Sequence, residues 1–175
     1  MIRIVIDKLL TEEYCNEIIK TGEDIGFTKP KIKTPDGEMV REDIRNNGSV
    51  MIDSEELAEE LFNKFKDQLP ETLDGGWKLK GLNEQLKIYK YDVGQQFKMH
   101  KDVSYIRNEN EKSFLTMLIY LNEGYVGGET YFLDGPITPE TGKCLVFQQN
   151  ALHAGMIITE GIKYAIRTDV MYERV

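Results

Sequence analysis

Long apolar runs, an excess of basic charge and a framework of cysteines are all missing from this chain of 175 residues. No stretch approaches the roughly 18–20 consecutive apolar residues that a membrane-spanning helix needs. The opening MIRIVIDKLL has an apolar patch, but Arg3 and Asp7 interrupt it and no small-residue cleavage site follows, so a secretory signal is not expected. Lys and Arg number 22 against 30 Asp and Glu, a formal charge of -8. An acidic chain gains little from phosphate counterion release, which makes nucleic acid a poor partner. A local basic run (Lys29, Lys31, Lys33, Arg41, Arg45) is expected to be a solvated loop. The two cysteines, Cys15 and Cys144, fall in a helical and a strand pattern and do not make a metal-type pair. They imply buried free thiols and a reducing, cytoplasmic setting.

What remains is an ordinary globular composition, 41% hydrophobic and 30% charged, enough for one core. No repeat, low-complexity tract or linker is visible, so residues 1–175 are expected to form one domain. Residues 2–6 are β-branched and suggest a first strand. Thr11 can cap a helix reaching to about Gly26, with Tyr14, Ile18 or Ile19 and Ile25 on one side. Residues 28–48 carry Pro30, Pro35-Asp36-Gly37 and Asn46-Asn47-Gly48, the marks of a long loop or hairpin. Ser54 can cap a second helix with Leu57, Leu61 and Phe65 on its inner face, and Pro70 follows it. From Trp77 onward the pattern is all β, with strands expected at 86–91, 96–99, 113–121, 129–133, 144–148, 155–158 and 163–172. The fold class is therefore mainly β with flanking N-terminal helices, a sandwich or barrel of the jelly-roll kind. Residues 1–80 would support a core at 81–175.

The two histidines stand in different surroundings. His100 and Asp102 are two residues apart, and side chains at i and i+2 of a strand point to one face. His153, some fifty residues later, is the third candidate ligand. Two neutral imidazoles and one carboxylate on one face of an octahedron leave three positions open, the arrangement suited to non-haem Fe(II) oxygenases. A structural zinc site would close with four protein ligands, usually including Cys. Ten residues after His153, the strand KYAIRTDVMY puts Lys163, Ala165, Arg167 and Asp169 on one face. Either Lys163 or Arg167 could hold a carboxylate, and Arg167 would suit bidentate pairing better on chemistry alone.

These residues resemble the prolyl 4-hydroxylase-like branch of 2-oxoglutarate/Fe(II) oxygenases over roughly 81–172. Tyr91-Asp92-Val93-Gly94-Gln95-Gln96-Phe97 is similar to the family's Y-x-x-G-x-x-[FY] run before H-x-D. Leu115-Thr116-Met117-Leu118-Ile119-Tyr120-Leu121-Asn122 resembles its core strand, Gly127-Gly128-Glu129-Thr130 its G-G-x-T turn, and Gly142-Lys143-Cys144-Leu145-Val146-Phe147 the strand before the second histidine. The resemblance implies a double-stranded β-helix (jelly roll, cupin-like) and Fe(II) held by His100, Asp102 and His153. It also implies 2-oxoglutarate as cosubstrate, O2, and ascorbate as a candidate reductant. It selects Lys163 over Arg167 for the distal carboxylate, adds the Tyr120 hydroxyl as a donor to that carboxylate, and puts Tyr91 near the iron.

Gln148, where the family often has an aromatic residue, and Arg167, where it often has a smaller one, should both face the substrate. The implied reaction is decarboxylation of 2-oxoglutarate to succinate coupled to hydroxylation of an unactivated C–H, on a prolyl or other residue of a protein or peptide. A small molecule such as a free amino acid is the alternative substrate. A non-enzymatic metal-binding β-barrel module is the alternative of another class, and it would need neither Lys163 nor Tyr120. Segments 28–48 and 103–112 are candidate lids, with Arg41, Arg45 and Asn46 as candidate substrate contacts.

Overall fold

The computed structural model describes residues 1–29 and 42–174, together with the backbone of a short hairpin formed by Ile32–Thr34 and Gly37–Met39. Strand β1 (Arg3–Ile6) leads into helix α1 (Glu12–Ile25). Thr11 starts that helix by accepting the Tyr14 N–H on its hydroxyl at 3.2 Å, Glu12 and Glu13 complement the first turn, and Gly26 ends it at φ +93°. Strand β2 (Gly48–Asp53) and helix α2 (Glu55–Asn63) follow, and Ser54 caps α2 through the Leu57 N–H at 3.1 Å.

Both caps fall where expected, but two apolar positions do not. Ile25 is 56% exposed, and α1 turns Cys15, Ile18 and Gly22 inward instead. Phe65 is buried but lies beyond the end of α2, where it packs edge-on against Phe62.

The rest is antiparallel β. The labelled strands are β3 (Trp77–Leu82), β4 (Gln85–Tyr91), β5 (Phe97–His100), β6 (Glu111–Tyr120), β7 (Thr130–Phe132), β8 (Gly135–Ile137), β9 (Cys144–Gln148), β10 (His153–Gly155) and β11 (Lys163–Glu173). The large sheet runs β1-β9-β6-β11. The first part of β11 then pairs with β4 and its last part with β3, while β2 covers the outer edge of β4. The small sheet runs β8-β7-β10-β5. Two opposed antiparallel sheets with helices on the outside of the larger one give the expected jelly roll. Residues before position 81 supply β1, β2 and most of β3 to that same sheet, so they are built into the core sheet as well as supporting it.

One expected strand, 155–158, is displaced. Chain pairing stops at Gly155 and resumes at Ile158–Glu160, leaving Met156 and Ile157 exposed between them, and His153 itself opens β10. The core lies between the helices and the large sheet, built from Leu61, Leu86, Ile88, Leu115, Met117, Ile119 and Ile166. On β11 the alternation is strict: Ile166 and Val170 enter this core, while Lys163, Ala165 and Arg167 line a cavity on the opposite face.

The turn before β9 depends on Gly142. Its φ is +77°, and a Cβ there would lie 2.0 Å from the Leu10 carbonyl oxygen. Gly142→Ala is expected to cost about 2 kcal/mol or more, because it combines left-handed backbone strain with a backbone clash. A lower urea midpoint with an unchanged m value would show it.

Candidate metal and cosubstrate site

His153 in β10 stands directly opposite His100 in β5. Their rings are 4.3 Å apart, centroid to centroid, and the ligand atoms of His100, Asp102 and His153 all lie within 4.8 Å of one another. The strand ends at His100, so Asp102 is placed by its own backbone N–H, which donates to the Gln149 carbonyl at 2.9 Å.

Each histidine Nδ1 points at a main-chain carbonyl: His100 at Lys98 O, 2.7 Å away, and His153 at Ala151 O, 3.0 Å away. In the neutral rings the proton therefore sits on Nδ1, and the Nε2 lone pairs are turned toward Asp102 Oδ1, at 3.4 Å and 3.9 Å. Phe97 stacks on the His100 ring at 3.5 Å and fixes its plane. Burial lowers the His153 pKa more than the charge of Asp102 raises it, which favours the neutral ligand form.

The two oxygens of Asp102 have separate partners. Oδ1 faces the imidazoles. Oδ2 accepts from the Thr116 hydroxyl at 2.5 Å and from Arg167 at 3.3 Å. Burial works against the charged form, yet Arg167, His100, His153 and Thr116 together hold the Asp102 carboxyl well below the usual range. Arg167 also pairs with Asp169 at 3.0 Å, and Asp169 accepts from Gln149 Nε2 at 2.7 Å. The donor set thus offers two imidazole nitrogens and one ionised carboxylate oxygen from a single side, with the remaining carboxylate oxygen held back. Such a set fits Fe(II) with open positions and lacks the fourth protein ligand of a structural zinc site.

The inner end of the same cavity is lined by Tyr91, Thr130 and Lys163. Lys163 is 3% exposed, and its ammonium donates to the Gly128 carbonyl at 2.5 Å. No carboxylate among the described residues pairs with it. Burial pulls its pKa down to about 8, against a small upward pull from Glu129. A buried ammonium facing a cavity with no anion beside it fits a ligand that brings a carboxylate. Gly128 makes the approach of Lys163 possible: at φ +73°, a Cβ there would meet Lys163 Cδ at 3.1 Å and Ile158 at 2.5 Å.

Tyr120 is fully buried behind this wall. Its hydroxyl donates to Thr130 Oγ1 at 2.6 Å, and of this pair Thr130 lines the cavity while Tyr120 does not. Tyr91 is buried beside Lys163, whose ammonium lies 5.1 Å from its ring, and burial pushes the phenol up to about 12.

Other expected positions fall differently. Arg167 does face the cavity. Gln148 does not, because its neighbour Phe147 does and strand alternation sends Gln148 the other way, where it accepts the Ile2 N–H at 3.1 Å. Asn46 is tied to the 94–96 backbone, accepting from Gln96 N at 2.9 Å. Arg41 lies outside the described residues. Segment 103–112 is partly a hairpin, since Ile106–Asn108 pairs with β6 and the Tyr105 N–H donates to Ser113 Oγ at 2.8 Å. Thr116, Thr130, Gln149 and Asp169 are the site residues that sequence reasoning left without a role. Thr116 and Thr130 sat in recognised motifs, whereas Gln149 and Asp169 did not.

Residues 86–168 match the family model described as the 2OG-Fe(II) oxygenase superfamily. A prolyl 4-hydroxylase homologue of Acanthamoeba polyphaga mimivirus is 26% identical over 181 residues, covering 91% of this chain and 70% of that protein. One from Arabidopsis thaliana is 24% identical, covering 73% of this chain and 43% of its own length. Among solved structures, the 2OG complex of the collagen prolyl hydroxylase of Paramecium Bursaria Chlorella virus-1 superposes with a TM-score of 0.67 at 22% identity, over 98% of this chain and 96% of that one. A Trichoplax adhaerens prolyl hydroxylase holding a hypoxia-inducible-factor peptide gives a TM-score of 0.69 at 16% identity, over 98% and 83%. With its jelly roll and its His-Asp-His cluster, this chain is similar to the 2OG-Fe(II) oxygenase superfamily over residues 86–168 and, along most of its length, to prolyl 4-hydroxylase relatives.

Proposed function

We propose that the protein is an Fe(II)/2-oxoglutarate-dependent dioxygenase that hydroxylates an unactivated C–H of a prolyl or other residue in a peptide. The observation that carries this reading is the joint placement, in one cavity, of a three-ligand cluster and a buried lysine with no carboxylate partner among the described residues. A metal-binding β-barrel without catalysis would have no use for that lysine. The peptide substrate is suggested by the prolyl hydroxylases named above. The cytoplasm is the setting we propose, supported by two buried free thiols, Cys15 and Cys144.

Fe(II) supplies the oxidative chemistry when bound, coupling decarboxylation of 2-oxoglutarate to insertion of oxygen into the substrate. The protein's part is orientation and the exclusion of water. His100 and His153 would ligate through Nε2, since their Nδ1 protons are committed to carbonyls. Asp102 would ligate through Oδ1, while Thr116 and Arg167 hold Oδ2 and keep the charge in place. Lys163 would form the ion pair with the distal carboxylate of the cosubstrate. Thr130 can donate its own hydroxyl proton to that carboxylate while accepting from Tyr120, so Tyr120 orients the donor from behind. No side chain needs to act as acid or base. The test is to incubate proline-containing peptides with the protein, Fe(II), 2-oxoglutarate and air. Gain of one oxygen atom by mass spectrometry, absent in Asp102→Ala, supports the reading; succinate release with no peptide oxidised in a broad screen would move the substrate to small molecules.

The titration of Lys163 has a measurable consequence. With a pKa of about 8 in the free protein, the lysine is charged below that pH and loses its proton above it. The bound carboxylate requires the charged form, so the Kd for 2-oxoglutarate is expected to stay level below about pH 7.5. Above pH 8 it should climb toward about tenfold per pH unit. Calorimetry across this range measures it, and Lys163→Arg, whose guanidinium stays charged, should flatten the rise.

A further inference from the structure

A second cavity of about 340 Å³ opens from the metal site, sharing Tyr89, Phe97, His100, Asp102 and Arg167 with it. Its size falls within the range of small-ligand sites, and it is the space a substrate would occupy beside the metal. Its ionic lining is Arg45, Lys87, Lys101 and Arg167 against Asp102 and Asp169. Arg167 is matched by the two carboxylates it touches. That leaves Arg45, Lys87 and Lys101, none of which has an ion-pair partner among the described residues. A local positive surplus on a chain of formal charge -8 is not what composition alone produces.

Arg45 is the most informative of the three. Residues 44–47 are laced onto the chain before His100, Lys98 N donating to Ile44 O at 3.0 Å and Arg45 bridging to Phe97. This brings the guanidinium over the rings of Tyr89 and Phe97, at 4.3 Å and 4.6 Å. Its Nε donates to Asn47 Oδ1 at 2.7 Å, but one terminal nitrogen has no acceptor among the described residues, although the residue is only 8% exposed. A charged donor left so in a buried site is costly, and a ligand oxygen would relieve it.

Lys87 stands directly opposite Arg167 across the β4–β11 pair, and Asp169, already paired with Arg167, is the nearest charge that offsets this like-charge neighbourhood. The Tyr89 phenol lies among these cations. Burial pushes its pKa up, yet Arg45, Arg167 and Lys87 pull it below its ordinary value. Four cationic side chains thus line the cavity against two carboxylates.

We propose that this cavity selects a substrate carrying a carboxylate close to the hydroxylated residue, held between Arg45 and Lys87, and that the substrate is an acidic peptide segment. The inference rests on the oxygenase reading above and names its substrate class. Arg45 offers a fork for the carboxylate, Lys87 a point charge at the half-exposed rim, and Lys101 long-range attraction. Arg167, held by Asp102 and Asp169, is left to the metal site.

The experiment compares two labelled octapeptides, each with one proline, flanked in one by glutamates and in the other by glutamines. Fluorescence anisotropy is read against the Fe(II)- and 2-oxoglutarate-loaded protein without oxygen. The glutamate peptide is expected to bind at least about tenfold tighter, a difference of about 1.4 kcal/mol. The gap should narrow as salt rises and reverse in Lys87→Glu, a half-exposed position whose substitution leaves the core untouched; a thermal melt checks the fold. Arg45→Gln should also narrow the gap. Equal affinities, a preference for the glutamine peptide, binding of neither, or an unchanged preference in a folded Lys87→Glu overturns the proposal. Free glutamate competing as well as the peptide overturns the peptide half of it. A glutamate preference with no consumption of 2-oxoglutarate on readmitting air would instead overturn the oxygenase reading and leave the anion site standing.

Discussion

His153→Ala is expected to lose Fe(II) binding by more than about 100-fold and to drop 2-oxoglutarate turnover below detection. A partner one step outside the ligands already costs about 10–100-fold in metal affinity or activity when removed, and His153 is a ligand candidate itself. The geometry leaves no substitute. Among the described residues the only cluster that could hold a metal is His100, Asp102 and His153, and removing one nitrogen leaves two donors. Thr116→Val makes the graded comparison: it removes the 2.5 Å hydrogen bond to Asp102 Oδ2 and keeps all three ligands. Metal affinity should fall by about tenfold there. Equilibrium dialysis with Fe(II) under argon ranks the two. Equal metal retention in wild type and His153→Ala would remove the metal site from the account.

Lys163→Met is expected to raise the Kd for 2-oxoglutarate by on the order of 10²- to 10³-fold. Stripping one partner from a buried ion pair costs about 3–5 kcal/mol, since the other charge stays desolvated and unpaired. Arg167→Met should behave differently. Its guanidinium is engaged with Asp102 and Asp169, so its loss leaves two neighbouring carboxylates without a cation and weakens the metal site. With Fe(II) saturating, the 2-oxoglutarate Kd of Arg167→Met should move by less than about tenfold. Calorimetric titration of each variant separates the roles. A larger rise for Arg167→Met than for Lys163→Met would overturn the choice of anchor.

Much of this was legible because the ligands carry their own local signals. His100 and Asp102 sit two apart at a strand end, His153 opens a strand, and both helix caps are written in Thr11 and Ser54. Period-two alternation put Lys163 and Arg167 on one face of β11, and that is where they lie. The same rule, applied to Phe147 as a cavity residue, would have turned Gln148 away from the substrate.

What was not legible is whatever depends on register between distant strands. Thr116 reaches Asp102 and stands opposite Asp169 only because β6 and β11 pair as they do. Gln149 reaches Asp169 across twenty residues of chain. The placement of Arg45 needs its segment to lie against residues fifty positions later, and no local pattern encodes that. Tyr120 was drawn to the cosubstrate by its motif, whereas its hydroxyl is one hydrogen bond short of the cavity, with Thr130 between.

The central claim is that one ferrous ion on His100, Asp102 and His153 makes 2-oxoglutarate a cosubstrate. The most direct measurement is succinate release from 2-oxoglutarate in air as Fe(II) is titrated into metal-stripped protein. The account predicts slow release even without a second substrate, saturating near one Fe(II) per chain and absent in Asp102→Ala. No Fe(II)-dependent succinate, together with no Fe(II)-dependent binding of 2-oxoglutarate, would contradict it.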